Sequence, residues 1–258
     1  MSLKQLSPFN QFKRASEPSK PRIIGLSKGE VATGKTSLWL QGPGPLVVFS
    51  LDEGLEYVVE RYQDEKEIYV AEYKWHPTKE LDQSEAIDLR NRFEEEYEYA
   101  IQHARTVNID KEGDLWELYR YAEFGAPNTE KLNNYPALNQ RYRRIINMPK
   151  SFDINFGLVQ GMTGKWGSRV NPGTGKKQMF KTEERVPKGF EEVEGLVHMV
   201  MSHRREKHPT TGKSVFYTSI EKARGPGSSD VQDQTFTNIT FPELATYVFP
   251  ETTEEDWK

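Results

Sequence analysis

The sequence contains no cysteine. A disulfide framework and any cysteine-ligated zinc site are thereby excluded, and the composition is compatible with a reducing compartment. No apolar run approaches the roughly 20 residues a membrane-spanning helix requires. Residues 1–20 carry basic side chains but no apolar h-region, so a secretory signal is not expected. The reading is a cytoplasmic protein with no membrane partner. Apolar residues are scarce, 35% against 29% charged, which predicts a modest core with long solvated loops of the kind that often carry function. An excess of positive charge is missing as well. The net charge is −4, so any nucleic-acid contact has to come from a local patch. The five histidines, His76, His103, His198, His203 and His208, show no metal spacing such as HExxH.

What remains suits one large α/β domain with extensions. Residues 1–20, with Pro8 and Pro18, read as a flexible arm. Residues 22–27 (RIIGLS) form a short apolar strand. The segment Gly29-Glu30-Val31-Ala32-Thr33-Gly34-Lys35-Thr36 follows, and then a short helix that must stop by Gly42-Pro43-Gly44-Pro45. The run at 46–51 (LVVFSL) is apolar without alternation, as a buried parallel strand is. Further strands are expected at 67–74, 106–110, 152–159, 195–201 and 214–221, and helices at 78–105, 115–124 and 135–146. Strands alternating with helices predict a mainly parallel, doubly wound sheet flanked by helices. The last two strands lack a helix between them and predict an antiparallel extension at one edge. Residues 62–104 read as a largely helical acidic insertion, 161–190 as a mobile basic loop, and 249–258 as an acidic tail, leaving 21–248 as the domain.

Residues 29–36 match GxxxxGK[ST] in full, and Ser37 follows. The glycines let backbone amides turn inward as an anion nest, and the following helix start adds partial positive charge. Lys35 is positioned to reach the β- and γ-phosphates of a nucleotide and Thr36 to bind Mg²⁺. The bland alternative is a Gly/Lys surface turn. It is disfavoured by the apolar strand before the motif and the helix-compatible segment after it. Such a loop needs an acid near the metal, at the C-terminal end of a neighbouring strand. Asp110 has that position, although Asn108 is an odd residue for a buried strand. Asp153 begins a strand, so it lies at the wrong edge. A second acid has to orient water. Glu53 is the favoured base, and Asp52 beside it could instead cap the next segment.

With these residues placed, the chain resembles the RecA-like P-loop ATPases. It looks most similar to small phage ATPases of the RecA-like, Sak-type single-strand annealing group. The resemblance rests on four matches: the phosphate loop; the strand closing on Asp52-Glu53; a strand ending in Gln160 and leading into the loop at 161–190; and Lys222-Ala223-Arg224 at the end of a late strand. It implies that Gln160 senses the γ-phosphate. It also implies that Lys222 and Arg224 reach the nucleotide of a neighbouring subunit, so that the chain self-associates as a ring or filament. It implies ATP and Mg²⁺ as ligands, single-stranded DNA and a single-strand-binding protein as partners, and the host cytoplasm as the place of action. Asn108 and Lys111 depart from the group's pattern around the metal acid, and residues 62–104 do not align.

Between 161 and 190 stand seven basic residues, Lys165, Arg169, Lys176, Lys177, Lys181, Arg185 and Lys188, against Glu183 and Glu184. Trp166 and Phe180 are interleaved. Cations for the backbone and aromatic faces for the bases are what single-stranded nucleic acid requires. The alternative is a solvated loop whose Trp166 packs on the core. Two rival functions stay open: a replicative helicase-like motor, and a nucleotide-dependent assembly protein that binds a protein partner and no DNA.

Overall fold

The computed structural model describes residues 20–52, 54–74, 82–125, 135–170 and 177–258. Ten strands are drawn among them: β1 (Ile24–Gly29), β2 (Leu46–Ser50), β3 (Ile68–Glu72), β4 (Thr106–Asp110), β5 (Asn155–Gln160), β6 (Met162–Val170), β7 (Lys177–Pro187), β8 (Met199–Lys207), β9 (Ser214–Lys222) and β10 (Thr235–Thr237). The helices are α1 (Lys35–Leu40), α2 (Gln83–His103), α3 (Glu112–Phe124), α4 (Tyr135–Asn147), α5 (Val193–Leu196), α6 (Ser228–Val231) and α7 (Phe241–Val248). Eight strands form one sheet in the order β10-β9-β8-β1-β5-β4-β2-β3. The six from β8 to β3 run parallel, and β9 and β10 add an antiparallel edge. This is the α/β architecture expected from the alternation of strands and helices.

The central strands β1, β4 and β5 are buried along almost their whole length, which is why they read as runs without a polar face. One face of the sheet is covered by α2, α3 and α4. The buried residues of α2, Ala86, Arg90, Phe93, Tyr97, Ala100 and Ile101, recur at helical spacing along one stripe. Phe93 and Tyr97 both meet Phe49 of β2 edge-on, at 5.2 and 5.9 Å. The other face carries α1 and α7, with Trp39 against Phe241 at 5.6 Å. Trp39 lies flat over Gly157 of β5, where a side chain would collide with its indole.

Three organisational expectations change. Residues 62–104 are not an insertion: β3 pairs in parallel with β2, and α2 is the crossover that returns the chain to β4. Residues 161–190, expected as a mobile loop, hold the antiparallel pair β6–β7. Glycines and charges had hidden its alternation. The tail at 249–258 is packed, because Trp257 is buried and stacks on Phe249 at 5.6 Å. The segment at 195–201 divides into the turn of α5 and the start of β8. The arm at 1–19 lies outside the described residues. Among the described residues, no helix is long and apolar enough to cross a membrane.

Candidate functional site

The C-terminal ends of β1, β2, β4 and β5 open onto one edge of the sheet, where parallel α/β sheets place their ligand crevices. At the end of β1, Gly29 takes φ +152 and passes so close to the His203 carbonyl that a side chain would collide with it. The chain turns through Glu30, Val31, Ala32 and Thr33, with Thr33 Oγ1 donating to Glu30 O at 2.8 Å. It enters α1 at Gly34 in the left-handed conformation. Lys35 is buried. Its Nζ donates to Gly29 O at 2.9 Å and to Glu30 O at 2.5 Å, so the ammonium is held inside the curve of the loop. Burial lowers its pKa, opposed by the charge of Asp110. Ser37 lies one residue further along α1, and the ring of Phe216, from β9, lies against Gly34.

Thr36 Oγ1 donates to Asp110 Oδ1 at 3.1 Å, so the expected metal pair is brought together across the sheet. Asp110 is buried, which raises its pKa to about 6. The charge of Asp52 adds to the shift, while Thr36, Lys111 and Lys35 oppose it. Asp52 accepts from Gly54 N at 3.3 Å, as a cap of the following turn does, and pairs with Lys111 Nζ at 3.0 Å. Glu53 lies outside the described residues. Asp153 sits at the opposite edge, paired with Lys20 at 2.6 Å. No group of three metal-ligating side chains gathers among the described residues. A hydroxyl and one carboxylate fit Mg²⁺, which is held by few protein ligands and completes its shell with phosphate and water. Asn108 is fully buried on β4, and among the described residues neither amide atom finds a hydrogen-bond partner.

Gln160, at the end of β5, is buried and donates through Nε2 to Glu112 Oε2 at 2.7 Å. Glu112 starts α3 and is wholly enclosed. It accepts from Tyr142 Oη at 2.7 Å and from Phe190 N at 3.3 Å, and burial raises its pKa to about 7. Gly189 passes directly over the Glu112–Gln160 bond and leaves no room for a Cβ. Gln160 is thus tied through Glu112 to the root of the β6–β7 hairpin. Sequence reasoning missed Glu112, whose only signal is an acid two residues beyond a strand-ending acid.

A second tie joins the hairpin to the phosphate loop. Arg185 Nε and Nη2 grip the Glu30 carboxylate at 2.7 and 2.9 Å. Lys165 pairs with Glu184 at 2.9 Å. Lys181 Nζ lies 5.6 Å from the centre of the Trp166 ring and donates to Thr163 Oγ1 at 3.0 Å. Trp166 is 59% exposed, which excludes its packing on the core. Trp166 pairs with Lys181 and Gly167 with Phe180, so the two aromatic rings stand on opposite faces of the ribbon. Arg169 and Lys177 hold strand positions at its far end. Lys176 is outside the described residues.

Lys222 and Arg224 lie at the other edge of the sheet, where β9 ends beside the start of β8. Lys222 Nζ donates to Glu194 O at 2.5 Å and Val197 O at 2.8 Å. His203, on β8 beside β1, is buried. It links Ser27 Oγ at 3.0 Å to Thr218 Oγ1 at 3.3 Å, with its pKa pushed down to about 3 by burial and then by Lys35.

No protein-family model matches the sequence, and no curated protein matches it. Among solved structures the chain is similar to a KaiC-like protein from the hyperthermophilic archaeon Pyrococcus horikoshii OT3. The sequence identity is 13%, 83% of each chain is covered, and the TM-score is 0.44.

Proposed function

We propose that this chain is an ATP-hydrolysing, self-associating RecA-like ATPase that acts on single-stranded DNA in phage-type recombination or replication. The observation that carries the reading is the contact between Thr36 and Asp110. The last residue of the loop motif and an acid 74 positions away meet below the loop, where a nucleotide-bound metal has to sit. Residues 29–36 wrap the phosphates, and Lys35 turns from its own carbonyl partners to the β- and γ-oxygens. Thr36 and Asp110 hold Mg²⁺, which when bound neutralises charge on the phosphates. Glu53 orients the attacking water. Gln160 reads the γ-phosphate, and its bond to Glu112 carries a change there to the hairpin root. Lys222 and Arg224 serve the neighbouring subunit's nucleotide. Trp166, Lys165, Arg169, Lys176, Lys177 and Lys181 contact DNA. Arg185, gripped by Glu30, ties that surface to the loop.

A second reading is favoured by the internal pairing of Lys165, Lys181 and Arg185. Under it, the hairpin is a nucleotide-controlled docking element for a protein partner. ATP turnover measured with and without single-stranded DNA separates the two. Stimulation supports the DNA-dependent ATPase, and turnover indifferent to DNA supports the partner-binding switch. Lys35→Ala is expected to abolish turnover, and activity retained in that variant sinks the enzyme assignment. Neutralising Lys176, Lys177 and Lys181 together is expected to flatten the salt dependence of DNA binding by up to about 2 units of slope.

A further inference from the structure

Lys111 leads the chain from β4 into α3, and its backbone lies in the left-handed region at φ 64 and ψ 52. An L side chain is strained there, and glycine or asparagine meets such a turn with less strain. The turn itself is ordinary. Lys111 O accepts from Asp114 N at 2.8 Å and so begins the helix. Nothing in that backbone calls for a lysine. What the residue adds to the turn is its ammonium.

The ammonium lies in the crevice at the C-terminal ends of the strands. Lys111 Nζ pairs with Asp52 Oδ2 at 3.0 Å. Asp52 stands two residues past Ser50, which is in register with Asp110 on the adjoining strand. Asp110, the residue before Lys111, meets Thr36 at 3.1 Å. A line of neighbours thus runs from the end of β2, across the end of β4, to the start of α1. The Lys111–Asp52 pair is partly exposed, with 39% of the lysine side chain and 34% of the aspartate open. Solvent weakens such a pair, and a more highly charged anion in the crevice can displace the carboxylate. Asp52 also accepts from Gly54 N at 3.3 Å, a bond it keeps when the lysine turns away.

We propose that Lys111 is a further catalytic residue, whose ammonium leaves Asp52 to hydrogen-bond a non-bridging γ-oxygen of the ATP held by its own chain. The inference rests on the ATPase reading above and adds to Lys35 a second cation from the same chain. The step is hydrolysis. The water oxygen bonds to the γ-phosphorus while the bond from that phosphorus to the β–γ bridging oxygen breaks, and the electron pair leaves with ADP. The proton of the water passes to the Glu53 carboxylate. Lys111 keeps its own protons and stabilises the negative charge spread over the γ-oxygens. The competing role is a passive one, in which Lys111 only screens Asp52 from Asp110. In that role turnover is intact once metal saturates the site.

The test is ATP turnover, nucleotide affinity and thermal midpoint of the full chain in Lys111→Gly, Lys111→Asn and Lys111→Arg, beside Lys35→Ala. Glycine and asparagine suit the left-handed backbone and remove the ammonium, so the midpoint is expected to hold or rise. Both variants are expected to lose at least roughly a hundredfold in kcat at saturating nucleotide, with nucleotide affinity retained. Lys111→Arg, which keeps the charge, recovers most of the turnover. Wild-type kcat in Lys111→Gly beside a dead Lys35→Ala overturns the role of Lys111 and leaves the ATPase reading standing. No turnover in the unmutated chain, or full turnover in Lys35→Ala, overturns both. Turnover of Lys111→Gly restored by saturating Mg²⁺ at mildly alkaline pH shows screening alone and overturns the proposal. A lowered midpoint with lost affinity in both Lys111→Gly and Lys111→Asn shows a structural role and overturns it as well.

Discussion

Under the proposed function, Asp110 is governed by two opposed demands. To hold a divalent cation it has to be ionised, and burial holds its pKa at about 6, above the ordinary carboxylate range. Magnesium-dependent nucleotide affinity is therefore expected to weaken below about pH 6, with ionisation of this group as the limiting event. Titrating nucleotide binding against pH with and without Mg²⁺ checks it, and Asp110→Asn should remove the metal-dependent part. Stability runs the other way. The folded state holds this proton more tightly than the unfolded chain, so the contribution of Asp110 is full below the unfolded pKa and is lost as pH rises through about 6. Two positions earlier on β4, the buried amide of Asn108 has no partner among the described residues. Asn108→Val is expected to stabilise the fold by about 1 kcal/mol, read from urea denaturation. The loop motif was legible because its four fixed residues, Gly29, Gly34, Lys35 and Thr36, fall within eight positions and each answers to one chemical need. Glu112 and the pairing of Glu30 with Arg185 were not. The latter joins positions 155 residues apart, and nothing in either neighbourhood marks its partner.

At the scale of elements, legibility follows burial. The strand expected at 106–110 is β4, and 46–51 contains β2, because strands buried on both faces need continuous apolar runs. The hairpin escaped because β6 and β7 lie outside the main sheet and need no apolar face. The region around β3 and α2 was misplaced because β3 is an edge strand, with Tyr69 and Val70 exposed, and so lacks the signature of its inner neighbours. Helix α7 illustrates a strong local signal. Thr240 and Glu243 form a reciprocal capping box, with Thr240 N donating to Glu243 Oε2 at 2.8 Å. Thr240→Ala is expected to cost about 1 kcal/mol, measurable as a lowered thermal midpoint. Because α7 packs Phe241 against Trp39 at the back of α1, that loss also reaches the support of the phosphate loop.

The whole molecule is closed by its last turn. Trp257 is buried against Phe241 and Phe249, and its indole nitrogen donates to Thr252 Oγ1 at 2.8 Å. Trp257→Ala is expected to destabilise the fold by about 3 kcal/mol, and calorimetry on the full chain tests it. The acidic composition concealed that anchor, since Trp257 is the one large apolar side chain between residues 251 and 258. The position of β1 has a consequence in time. It lies between β5 and β8, and Ser27 bonds a histidine 176 residues further along the chain. At synthesis rates of roughly 5–20 residues per second, that histidine follows Ser27 by roughly ten to thirty-five seconds. The segment of β1 and the loop after it, made before either flanking strand, is therefore among the last parts to be walled in. For that interval a nascent chain carries an open central strand whose partners have not yet been made.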